Sequence, residues 1–433
     1  MIRNYFLIIC LFFTANLLIG QDSISLQDCY DFTMKNHPII QQKGIYSEIS
    51  EKNIKNINSN YLPNFSISGQ ATYQSDVTSF NIEMPTIPGI GKTPSPQTPT
   101  VNQDQYKITA DVNQVIYNGG IINISKELEN TDFKVKTKEV EVNFYKIKQN
   151  INEVYFNILI LQENIIALNL LKSDINDKIL SVSSGVKNGI LMQSNLNILK
   201  AELLKIEQTI IDIEYNKYAL LEVLSRLTSM NFDNNSILSL PNVNMFSLEK
   251  NDTVLNRPEI ELFKLNKQKI EVSNKLIQSK YTPSLFGFAQ LGYGNPGLNM
   301  ISNSFDSFYI VGAKLSWDII NWNKNKRDSQ ILKLNSSLID NNIQIFIKNN
   351  NIELAKSKAD IEKFESLISK DNDIIALREN ITKSYVSQLE NGIITANDYI
   401  TEKNEETKAK INLSTHKIQL VKSKINYKTI MGN

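Results

Sequence analysis

The strongest constraint on this chain is that it repeats itself. Asn36-His37-Pro38 returns as Asn256-Arg257-Pro258, and Tyr61-Leu62-Pro63 as Tyr281-Thr282-Pro283, both 220 positions later. Val115-Ile116-Tyr117-Asn118 corresponds to Asp318-Ile319-Ile320-Asn321, and Asn188-Gly189-Ile190 recurs as Asn391-Gly392-Ile393, both 203 positions later. The offset changes at one place, between Asp76 and Asp104, where Met84-Pro85, Ile87-Pro88-Gly89, Thr93-Pro94-Ser95-Pro96 and Thr98-Pro99 crowd together. Pro and Gly at that density mean a loop. Two copies of one plan, the first with a longer loop, dictate the architecture before any element is read.

That plan is helix, strand, loop, strand, long helix, turn, long helix. The spacing predicts a first repeat over 21–235, with strands at about 64–76 and 105–117 and helices at about 38–60, 121–187 and 190–230. The second repeat covers 236–433, with strands at about 284–294 and 306–317 and helices at about 257–280, 324–389 and 393–430. The strand assignments rest on period-two alternation. Phe65, Ile67, Gly69, Ala71 and Tyr73 oppose Ser66, Ser68, Gln70 and Thr72; Tyr106, Ile108, Ala110 and Val112 oppose Lys107, Thr109, Asp111 and Asn113. Leu285 to Tyr293 and Tyr309 to Trp317 keep this phase, although Phe286, Phe288 and Ile310 interrupt the polar face. Each run has the length of a tilted transmembrane strand. Phe65, Tyr117 and Trp317 mark the ends toward the helices; Tyr73, Tyr106, Tyr293 and Phe308 mark the ends toward the loops, as two interfacial aromatic bands. A soluble sheet with one buried face would alternate in the same way.

The helices carry a different period. From Val140, apolar residues step by four and three through Phe144, Ile147, Ile151, Val154 and Ile158, lapse at Lys172, and resume at Ile175, Ile179 and Val182. The return helix repeats the pattern from Leu196, with a lapse at Lys217. This is the seam of paired, left-handedly wound helices. Pro and Gly are absent from Ile121 to Ser184, so that helix can reach about 100 Å. Short turns at Gly185, Asn188 and Gly189, and at Asn391 and Gly392, make each pair an antiparallel hairpin.

Residues 1–20 combine Arg3, an apolar run from Tyr5 to Phe13 and a small residue at Gly20, the order of a secretory signal peptide. The chain has 46 Lys and Arg against 45 Asp and Glu, and loss of Arg3 with the leader leaves them equal. That balance gives no argument for a nucleic-acid partner. Past the leader, Cys29 stands alone, so an internal disulfide is excluded. After the leader there is no continuous apolar run long enough for a membrane helix, so any membrane insertion must use β-strands in a closed barrel. Four strands in two separate hairpins cannot close one. Identical copies must complete it, and three copies would supply twelve strands and twelve long helices. No cofactor or metal site is expected, since the sequence has no Cys/His cluster, paired-carboxylate motif or phosphate-binding Gly loop, and no enzyme is expected for the same reason. His37 reads as a helix-start residue beside Pro38, and His416 as a solvated residue among Lys and Gln.

The motifs together resemble the TolC-like outer-membrane efflux and secretion family. The stretch from Ser25-Leu26-Gln27-Asp28-Cys29 to Lys35-Asn36-His37-Pro38 resembles the family's opening short helix, and Asn256-Arg257-Pro258-Glu259 resembles the start of its second repeat. Tyr61-Leu62-Pro63 and Tyr281-Thr282-Pro283 resemble the Tyr-x-Pro that begins each strand hairpin, and Val112 through Gly119-Gly120 the strand exit. The second copy has Asn321-Trp322-Asn323 in place of those glycines. The resemblance implies an α+β membrane protein: a homotrimer in outer-membrane lipid with a twelve-stranded barrel and a helical periplasmic tunnel. It also implies partners, a periplasmic adaptor and an inner-membrane efflux pump or type I exporter. It puts the tunnel mouth at the two turns, with Asp398 as the best match to a gate carboxylate, Glu402 beside the second acidic position, Asn195 as the first-repeat counterpart of Asp398, and Ile394 where the family has a basic residue. The competing reading is a periplasmic coiled-coil adaptor or scaffold, which would lack the duplicated bilayer-length strands.

Overall fold

The computed structural model describes residues 23–78, 88–89, 101–243 and 255–432. The proposed leader and most of the long first loop lie outside them. In chain order the elements are α1 (Leu26–Asn36), α2 (Pro38–Ser59), β1 (Asn64–Tyr73), β2 (Asp104–Tyr117), α3 (Ile121–Lys187), α4 (Gln193–Thr228), α5 (Pro258–Ser279), β3 (Ser284–Asn295), β4 (Asp306–Ser316), α6 (Lys324–Glu390) and α7 (Ala396–Met431). They fall into two compact units, each built from segments of both repeats.

The first unit, residues 45–135 and 264–340, holds the sheet. Its strands are antiparallel in the order β1-β2-β3-β4. The expectation of two separate hairpins is corrected here: β2 pairs with β3 from Tyr106↔Asn295 to Tyr117↔Leu285, so the repeats share one sheet. The reason lies in the register. Ile108 faces Tyr293, Ala110 faces Leu291 and Val112 faces Ala289, which aligns the apolar face across the repeat boundary. A bulge between Val115 and Tyr117 brings Tyr117 opposite Leu285, back onto that face. The apolar face is bare: Phe65, Ile67, Tyr309 and Val311 are each more than 70% exposed. Within this chain β1 and β4 each have an unpaired edge among the described residues. In the same unit Lys275 pairs with Glu127 at 2.9 Å, Lys267 with Asp340 at 2.8 Å, and Lys269 with Asp132, tying α5 to the adjoining parts of α3 and α6.

The strand exits show how a duplicated turn survives divergence. Gly119 and Gly120 have φ of 66° and 81°. Their counterparts, Trp322 and Asn323, have φ of 50° and 59°, the same left-handed pair without glycine. The Arg327 guanidinium donates to the Trp322 carbonyl at 2.8 Å and holds that turn. A non-glycine residue pays about 1–2 kcal/mol in this region. Trp322→Gly is therefore expected to raise stability by about 1 kcal/mol, read as a higher urea midpoint, because exposed Trp322 gives up little packing.

The second unit, which among the described residues comprises 23–44, 136–243, 255–263 and 341–432, is helical. One core gathers Leu26, Cys29, Ile151, Tyr155, Phe156 and Leu224; the other, nearer the turns, gathers Ile175, Val182, Leu199, Leu389, Tyr399 and Ile400. The seam positions Val140, Ile151, Ile158, Ile175 and Val182 are fully buried. The lapse at Lys172 is an ion pair, 2.9 Å from Glu207 on α4, and Lys217 donates to the Asn234 carbonyl at 3.2 Å. Helix α3 also contains an 18-residue stretch of mean hydropathy 1.5, long and apolar enough by composition to cross a bilayer. Polar residues interrupt this stretch, so it contains no unbroken apolar run of that length. His416 is corrected as well. It is half-buried, 2.6 Å from Asp371 and beside the Phe364 ring, so α6 and α7 enclose it.

Candidate functional site at the hairpin turns

Both turns belong to the helical unit and are built alike. Gly189 and Gly392 take left-handed φ of 75° and 71°. The Ile190 amide donates to the Gly185 carbonyl, and the Ile393 amide to the Gln388 carbonyl, each at 2.9 Å. Gly185 lies inside the last turn of α3. A Cβ there would sit 2.9 Å from the Leu191 side chain, which explains the glycine by close packing rather than by φ. The Asn188 and Asn391 backbone amides close their helices by donating to the Ser184 and Ser387 carbonyls, and the Asn391 side chain also donates to the Ser387 carbonyl at 2.8 Å. The two turns touch: the Leu191 side chain lies 3.7 Å from where a Cβ on Gly392 would stand. Ile190, Met192 and Ile393 are 65–73% exposed there.

Asp398 lies in the first turn of α7 rather than standing free. It is the third helical residue of a capping box: its carboxylate accepts from the Thr395 hydroxyl at 2.7 Å and the Thr395 amide at 3.0 Å, while its own amide donates to the Thr395 hydroxyl at 3.3 Å. The Thr395 hydroxyl, then its amide, hold the Asp398 carboxyl below its ordinary value. A lowered carboxyl favours the folded cap above the unfolded value, and this contribution disappears as pH falls through the lowered one. Asn195, its counterpart in the first repeat, is buried and accepts from the Ala396 amide at 3.1 Å, so the first hairpin caps the second one's helix.

Glu402 is held by Arg378 of α6 at 2.7 Å, with Glu405 on the second nitrogen at 3.4 Å. The structure surrounds these residues with a charge network that motif reading missed. Lys178 of α3 reaches Glu390 of α6 at 2.8 Å. Lys403 of α7 reaches Asp174 of α3 at 2.8 Å and Glu406 at 3.3 Å. Lys410 links Glu406 and Glu379 at 2.7 and 2.8 Å. Burial raises the Glu406 carboxyl, but Lys410 and Lys403 outweigh it and leave its pKa lowered. Burial pushes the Tyr399 hydroxyl up to about 12. Each pair across hairpins joins residues some 200 positions apart, so spacing within a helix carries no sign of it. The one legible hint was the offset of 203 that aligns the two turns.

No family model matches the sequence, and no curated protein matches it. Solved structures do. The chain is similar to the CmeC outer membrane channel of Campylobacter jejuni at 16% identity, over 96% of this chain and 87% of that one, with a TM-score of 0.67. It is similar to CusC at 11% identity, over 94% and 91%, with a TM-score of 0.70. The outer membrane protein VceC of Vibrio cholerae aligns at 11% identity over 94% and 96%, with a TM-score of 0.66.

Proposed function

We propose that this chain, which carries the fold of the TolC-like outer-membrane efflux channels, is the outer-membrane channel subunit of an efflux or type I secretion assembly. The observation that carries this reading is the sheet: among the described residues, four bilayer-length strands with an exposed apolar face and two unpaired edges. Lipid offers no hydrogen bonds to such edges, so β1 of one copy pairs with β4 of the next. Three copies close a twelve-stranded barrel of the size a solute can traverse. The helical hairpins then lie in the periplasm, their turns at the tunnel mouth. Exposed Ile190, Met192 and Ile393 at those turns suit docking of a periplasmic adaptor that bridges to an inner-membrane pump. The sheet opposes the alternative of a periplasmic coiled-coil adaptor or scaffold, which has no use for a lipid-facing surface.

Threefold symmetry brings three copies of Asp398 around the mouth, while Arg378 neutralises the neighbouring Glu402. A ring of carboxylates favours cations. Reconstituted in a planar bilayer, the protein should form discrete conducting steps with cation preference. Asp398→Ala should reduce that preference and abolish block by multivalent cations. Unchanged selectivity and block would confine Asp398 to its capping role. Absence of conducting steps would count against the channel reading as a whole.

A further inference from the structure

The alternation of the second repeat's strands is broken on the polar face by Phe286, Phe288 and Ile310. Phe308 joins them. Sequence position suggested an interfacial band for Phe308, but its register places it on the same face as Ile310 and Lys314, opposite Gly292. These side chains are half-buried, whereas Phe65, Ile67, Leu291, Tyr309 and Val311 of the other face are exposed. Two rings are seated on glycines. A Cβ on Gly292 would fall 2.1 Å from the Phe308 ring, and one on Gly312 would fall 2.9 Å from the Phe288 ring. Glycine here makes room for an aromatic ring to lie flat across the neighbouring strand. From the row of Phe286 to the row of Phe308 the stripe runs about 20 Å along the strands.

The first repeat's half of this face is different: Ser66, Ser68, Thr109 and Asp111 are polar. The Asp111 carboxylate is engaged by Gln290 at 2.6 Å and Thr109 at 3.0 Å. Lysines bracket the stripe. The Lys107 ammonium lies 4.9 Å from the centre of the Phe308 ring, and Lys314 pairs in register with Phe286.

We infer that this face is a contact stripe for aromatic anions in transit, made by Phe286, Phe288, Phe308 and Ile310 with Lys107 and Lys314 at its ends. The inference rests on the barrel reading, which makes this face the lumen wall. An aromatic ring stacks on the phenyl groups, and an attached acid group meets a lysine. Three such stripes alternate with polar ones around the pore, so a solute contacts one wall without the lumen being closed.

Single-channel recording tests it with three probes: 2-naphthalenesulfonate, methanesulfonate and a naphthyl trimethylammonium cation. In the native channel, naphthalenesulfonate should dwell about tenfold longer than methanesulfonate. Phe286→Ser, whose ring sits on no glycine, and Lys107→Gln should each shorten that dwell about threefold. Equal dwell for the two sulfonates, or unchanged dwell in both variants, would overturn the stripe. Equal dwell for the naphthyl cation would overturn its preference for anions. A protein forming no conducting pore would overturn both the stripe and the channel reading beneath it.

Discussion

Arg257→Ala is expected to destabilise the helical unit by about 3–5 kcal/mol, because it strands a buried carboxylate. Arg257 is 7% exposed and binds Glu259 through two nitrogens, at 3.0 and 2.5 Å. Its guanidinium lies 4.4 Å from the Tyr145 ring centre, and a third nitrogen donates to the Thr429 carbonyl at 3.4 Å. Tyr145 donates to the same carbonyl. One side chain thus fastens the start of the second repeat to α3 and to the last turn of α7. A lysine has one compact charge and cannot form the fork, so Arg257→Lys should recover less than half of the loss. Urea unfolding followed by helical circular dichroism measures both. A loss below about 1 kcal/mol for the alanine variant would mean that Glu259 finds another partner.

The second large effect falls on Tyr155, which is fully buried between α1 and α4. Its hydroxyl lies 2.8 Å from the Ile24 carbonyl and 2.6 Å from the Ser239 carbonyl. Those two segments also bond to each other, the Ile24 amide to Ile237 at 2.9 Å and the Ser239 amide to Ile24 at 3.1 Å. Tyr155→Ala should cost about 3–5 kcal/mol through the cavity it leaves. Tyr155→Phe keeps the ring and should cost about 1 kcal/mol. Hydrogen exchange adds a local reading: the Phe variant should speed exchange at the Ile24 and Ser239 amides while leaving the α3 seam protected. Equal losses for the two variants would put the whole effect in the hydroxyl and contradict the packing argument.

Much of the fold was legible because both periods were long. A strand of alternating residues and a helix stepping by four and three each repeat enough to exclude the other. The duplication then doubled every signal. What could not be read was what joins the copies. Pairing of β2 with β3 depends on Ile108 meeting Tyr293 across the repeat boundary, and neither residue announces its partner. The left-handed turn at Trp322 and Asn323 had no glycine to mark it. The place of Phe308 at a strand end points to an interfacial band, but its face is the deciding property. At the hairpin turns, the glycines were plain from their spacing, but the capping of Asp398 by Thr395 and the Lys403–Asp174 link are set by how the helices lie in space. His416 looked solvated because its sequence neighbours are polar. Asp371, which faces it, lies 45 positions away.

In the proposed trimer, a sheet with two free edges among the described residues is completed by two further copies. Mass measurement of the protein extracted in mild detergent tests it most directly. A stable species of three chains, held until the edges of β1 and β4 are broken by denaturant, is the predicted result. A monodisperse single chain that nonetheless inserts as a membrane barrel would contradict it.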